Sequence, residues 1–163
     1  MADRAELLAR LDAAREAFDD ALSHVDFDLA TVPGVMDDWS VRDLVHHLAR
    51  WCQHGSEAID LASAGRGAEF AYSTGDTDRM NEVFLAEGRS VSPRDALELE
   101  AAAFEGFRGR IAAVQESLLG RRLGNGHTLE EVIVYDGPEH YDEHTAHLRA
   151  WFAPDDEDEE GAP

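Results

Sequence analysis

Apolar residues three and four positions apart recur through long stretches of this chain, and no stretch of strand length alternates apolar with polar. That period belongs to helices with one buried face. Leu7, Leu8, Leu11, Ala14, Phe18, Leu22 and Val25 predict a first helix over 4–25. Ser40, with Asp43 three residues on, is a capping box that opens a second helix over 41–64. Ser92-Pro93 with Asp95 supplies a cap, a proline at the first helical position and an acid in the first turn. It opens a third helix over 93–118, striped by Leu97, Ala101, Phe104, Phe107, Ile111, Val114 and Leu118. Thr128 and Glu131 form a second capping box before a last helical region. Gly137-Pro138 is expected to break or kink that region, leaving a fresh segment over 138–152. Residues 65–92 make a long crossover with one short helix near 76–87. The expected fold is an all-α four-helix bundle with a short extra helix in the crossover between helices 2 and 3.

At 163 residues the chain is expected to form one domain over 1–152, followed by an acidic and disordered tail over 153–163. No apolar run reaches the roughly 18 residues a membrane span needs. The N-terminus lacks the order of charge and apolar core that marks a signal peptide, so a cytoplasmic protein is expected. The lone Cys52 fits a reducing compartment. The formal net charge is -21, with six acids in the run Asp155–Glu160 and most of the excess on the body. Such a surface is expected to repel both phosphate backbones and anionic membranes, giving no nucleic-acid and no membrane partner. The chain has no lysine, which excludes Schiff-base chemistry and a Walker-type phosphate site.

The chemistry-bearing residues are histidines. His140 and His144 are four apart and project from one helical face, about 6 Å apart along the axis. That spacing suits two ligands of one first-row metal, and it equally suits a pair of surface histidines. Tyr141, Leu148 and Trp151 share the broad face and turn it inward. His147 lies about 10.5 Å of rise from His140, too far for both to reach one ion at roughly 2.1 Å per bond. A third ligand would come from another helix. His47 is the best candidate, because it sits mid-helix on the border of the Leu44–Leu48–Trp51 stripe. Its plainer role is a core histidine bonded to a carbonyl. On the same wheel His46 points away from the stripe, and His24, His54 and His127 are expected to be solvated or capping residues.

Trp39-Ser-Val-Arg-Asp-Leu leading to His47-Leu, and Glu139-His-Tyr-Asp-Glu-His144 leading to Trp151, resemble the DinB/YfiT-like superfamily. The likeness is to the branch holding the DfsB/ClbS-like proteins and the mycothiol-dependent maleylpyruvate isomerases. It extends over 4–152 and includes the Asp76–Asn81 segment. The resemblance implies an up-down-down-up bundle and a divalent metal, zinc or nickel foremost, on three histidines matching His47, His140 and His144. It implies open coordination positions for water or a low-molecular-weight thiol such as mycothiol, and it admits a homodimer.

The shared chemistry of that branch is a metal-activated nucleophile attacking a small-molecule electrophile, as in a thiol S-transferase, an isomerase or a detoxifying hydrolase. The alternative is a metal-containing protein that sequesters a toxin or serves a stress response without turnover. A bundle whose histidines take up metal only incidentally stays open as a third reading. Glu143, Arg79 and Asn81 are the candidates for supporting catalytic roles: Glu143 beside a ligand, Arg79 and Asn81 placed to meet a substrate carboxylate. Each has a plainer reading as a solvent-exposed residue. Asp43 is better explained as a cap than as a carboxylate orienting a metal histidine.

Overall fold

The computed structural model describes residues 3–72 and 74–152. Its helices are α1 (Arg4–Ser23), α2 (Val41–Ser63), α3 (Thr77–Gly88), α4 (Pro93–Ala113), α5 (Glu116–Leu119), α6 (Leu129–Val134) and α7 (His140–Phe152). Among the described residues there is no strand, and the fold is an all-α bundle. None of the described helices is long and apolar enough to cross a membrane. The expected tail, 153–163, lies outside the described residues.

Local chemistry sets the helix starts. Ser40 accepts from the Asp43 backbone N–H, and the Asp43 carboxylate accepts from the Ser40 N–H at 2.9 Å. Thr128 and Glu131 repeat that reciprocal pattern at α6. These bonds satisfy donors that a helix start leaves free. The central member is α2, which buries fifteen residues between Val41 and Ala62 and packs chiefly on α4. Leu44 and Leu48 are fully enclosed, each side chain contributing about 1.5–3 kcal/mol by burial. A polar clamp joins α1, α4 and α7. Arg15 donates to both oxygens of the buried Glu100 at 2.8 and 2.6 Å, and the Tyr141 hydroxyl donates to the same carboxylate.

Two expectations about the later helices are corrected. The third helix ends at Ala113, not 118, because Val114 turns extended at φ -63°, ψ 142°. Arg4 on α1 reaches the Val114 carbonyl at 3.1 Å, which satisfies an acceptor freed by the turn. Gly137-Pro138 does not break the last helix. Residues Tyr135–Glu139 form a π-helical turn that carries α6 into α7 without interruption over 129–152. The wider turn tolerates a residue without an N–H, and such turns recur at functional sites. Gly137 also has to be small: a Cβ there would stand 2.9 Å from the Phe107 ring and 3.1 Å from Leu11.

Candidate metal centre

The packing of α2 beside α7 brings His47, His140 and His144 together. One ligand atom from each lies within 4.8 Å of the others. The three are buried, at 3, 7 and 3 % exposure. Their ring centroids are 5.4 Å (His47–His140), 5.0 Å (His47–His144) and 5.7 Å (His140–His144) apart. Trp51 stacks on His140 with ring centres 5.0 Å apart, and the Trp39 ring meets His47 edge-on at the same distance. The Trp51 indole N–H donates to Asn81 at 3.2 Å, tying this wall to α3.

Neighbouring groups orient the rings. His140 Nδ1 lies 2.6 Å from the Tyr135 carbonyl. A carbonyl only accepts, so Nδ1 carries the proton and Nε2 keeps a free lone pair. His144 Nδ1 lies 3.1 Å from His147 Nδ1. Among the described residues, His144 Nε2 and His47 Nδ1 are buried without a hydrogen-bond partner. Buried polar atoms are rarely left so. Burial, with His144 and His140 as like neighbours, holds His47 well below the usual imidazole range. Burial first, then His140 and His147, pushes His144 down to about 3. Both are therefore neutral at physiological pH. Neutral imidazoles with unsatisfied buried nitrogens fit a divalent transition metal. Cys52 is a poor rival as a ligand, since burial pushes its thiol up to about 12.

The other candidates are solvent-exposed or engaged in local contacts. Glu143 faces solvent. Arg79 is 80 % exposed and lies 3.9 Å from Asp76. Asn81 is occupied by Trp51. The carboxylate of Asp43 is taken up by Ser40 and Arg42, as a cap. His24 and His127 are exposed, as expected.

The expectations for His46 and His54 are corrected. His46 is buried because α3 covers that side of α2: a Cβ on Gly88 would touch its ring at 3.3 Å. His54 Nδ1 lies 2.7 Å from Asp136 Oδ2, with Phe70 and Tyr72 rings 4.7 and 4.5 Å away. Sequence reasoning missed Tyr135, Asp136 and the pairing of His147. The spacing held a signal for one of them, since His147 stands three after His144. A cavity of about 320 Å³, walled by Tyr72, Val132, Tyr135 and Glu139, opens beside the centre. It shares Tyr135, whose ring lies 5.3 Å from that of His140, but the three histidines do not line it.

Residues 11–149 match the mycothiol maleylpyruvate isomerase N-terminal domain family, and the chain belongs to that family. No curated protein matches the chain. Two crystal structures are among those that share the fold. One is an uncharacterised protein from Escherichia coli UTI89, with TM-score 0.78 and 20 % identity, covering 91 % of this chain and 92 % of that one. The other is the colibactin self-resistance protein ClbS in complex with double-stranded DNA, with TM-score 0.79 and 17 % identity, covering 92 % and 95 %. The second corrects the exclusion of nucleic acid drawn from net charge, because a protein of this fold is seen on DNA. A net charge sums over the whole surface, whereas a phosphate backbone meets only the local patch it touches.

Proposed function

We propose that this member of the mycothiol maleylpyruvate isomerase N-terminal domain family holds one divalent metal ion on His47, His140 and His144 and acts on small-molecule electrophiles. The observation that carries the reading is the set of three buried imidazoles, with ligand atoms within 4.8 Å and nitrogens on His47 and His144 that have no hydrogen-bond partner among the described residues. A divalent ion on three neutral ligands keeps its double charge and lowers the pKa of water or a low-molecular-weight thiol beside it.

The chain's own residues do the rest. The Tyr135 carbonyl holds the proton on His140 Nδ1. His147 steadies His144 from the side. Trp39 and Trp51 shield the rings from bulk water, which strengthens electrostatic effects within the site. The cavity beyond Tyr135 is of a size for a small ligand.

The test is thiol consumption by the metal-loaded protein in the presence of an activated alkene or an epoxide. Turnover that His144→Ala abolishes, in a protein that stays folded, is the expected result. Full metal loading with no turnover on either electrophile, with or without thiol, would remove the catalytic reading. It would leave the second one, a protective protein that sequesters its ligand. That second reading draws support from the self-resistance role stated for ClbS. Double-stranded DNA belongs in the same experiment as a partner class, since ClbS was crystallised with it.

A further inference from the structure

The π-turn Tyr135–Glu139 faces two ways. Tyr135 supplies the carbonyl that meets His140 Nδ1 at 2.6 Å. The next residue, Asp136, is buried and reaches α2, where its Oδ2 lies 2.7 Å from His54 Nδ1. Gly55, beside His54, permits this approach: a Cβ there would stand 3.2 Å from Asp136 Cβ and 2.7 Å from the Phe107 ring. Gly137 presses on the same phenyl ring from the turn. One polar tie and two absent side chains therefore seat the turn against α2 and the Phe107 ring of α4.

The tie is expensive as packing. Asp136 Oδ1 is buried with no hydrogen-bond partner among the described residues. An apolar pair of similar volume would fill the space without leaving a carboxylate oxygen unsatisfied. A feature that costs stability here calls for a reason beyond stability.

We propose that the His54–Asp136 tie is a positioning device for the histidine cluster. It fixes the π-turn so that the Tyr135 carbonyl holds His140 in one tautomer, with Nδ1 protonated and Nε2 free. His54 and Asp136 are positioning residues, acting on the cluster through the turn. The inference rests on the reading of His47, His140 and His144 as a ligand set, but its first readout needs no metal.

That readout is the tautomer of His140 in metal-free, ¹⁵N-labelled protein, from long-range proton–nitrogen correlations. The wild type is expected to show a single Nδ1-protonated form. Asp136→Leu and His54→Leu each cut the tie from one side, and a mixture of tautomers is expected in both. Asp136→Asn keeps an oxygen to accept from His54 and is expected to restore the single form. The second readout is cobalt(II) titration followed by visible absorption. Loss of a group that orients a metal ligand costs about 10–100-fold in affinity, and that range is expected for the two leucine variants but not for Asp136→Asn. Should Asp136→Leu fail to fold, His54→Leu carries the test from the α2 side. Leucine variants that fold with a single His140 tautomer and wild-type cobalt affinity would overturn the proposal, as would failure of a folded Asp136→Asn to rescue. A tautomer change in a protein that binds no cobalt even as wild type would defeat the metal reading and leave the positioning role standing.

Discussion

His144 and His147 set their Nδ1 atoms 3.1 Å apart along one face of α7. Two lone pairs cannot share that distance, so one ring donates to the other. With His144 as the donor through Nδ1, its lone pair stays on Nε2, the buried nitrogen that has no partner among the described residues. His147 is thus a support for a proposed ligand. His147→Phe is expected to weaken cobalt(II) binding by about 10-fold, as loss of an orienting partner does. At a half-buried position the same change should alter stability by only about 0.5 kcal/mol. Parallel metal titration and urea unfolding separate the two effects.

Protonation couples the site to folding. His144 is held at about 3 and His47 well below its ordinary range, both chiefly by burial. In the unfolded chain each returns to about 6.5. Above that value neither state binds the proton and stability is full. Below it, the unfolded chain takes up protons that the folded chain refuses. Stability therefore falls as pH drops from about 6.5 towards 3, by up to about 1.4 kcal/mol per pH unit for each group. Thermal melts of EDTA-treated protein between pH 7.5 and 4.5 should show this decline, with a shallower slope in His144→Ala. Equal slopes in the two proteins would contradict the assignment.

Gly55 gives a test of the close approach between α2 and the π-turn. Alanine normally favours a helix interior by about 1 kcal/mol over glycine. Here the added Cβ would come within 2.7 and 2.9 Å of the fully buried Phe107 ring. Overpacking of this kind costs about 1–3 kcal/mol, and the clash should outweigh the propensity gain. Gly55→Ala is expected to lower the urea midpoint. A raised midpoint would show that the ring yields.

The helix starts and the His140–His144 pair were legible because their signals are local, whereas the place of His47 beside them depends on how α2 packs on α7. Ser40 with Asp43, Ser92 with Pro93 and Thr128 with Glu131 are caps written within four residues. His140 and His144 share a face by helix geometry alone. What was misread depends on distant packing. A wheel drawn for α2 by itself turns His46 to solvent, but α3 lies across that side, and no residue of α2 announces it. His54 finds its partner Asp136 82 positions later in the chain. The apolar stripe of the third helix runs on past Val114, although the backbone turns extended there. A Gly-Pro pair forbids a regular helical turn without saying whether the chain will stop or widen, and here it widens. The reading of whole-chain charge failed for a related reason, since a sum carries no information about where the charges lie.

The most direct measurement is metal content per chain in protein purified without chelator, compared with His47→Ala and His144→Ala. One equivalent of a divalent transition metal in the wild type and close to none in either folded variant is the expected result. Wild-type protein that stays metal-free after incubation with zinc, nickel and cobalt salts, or variants that retain a full equivalent, would contradict the assignment of these histidines as ligands.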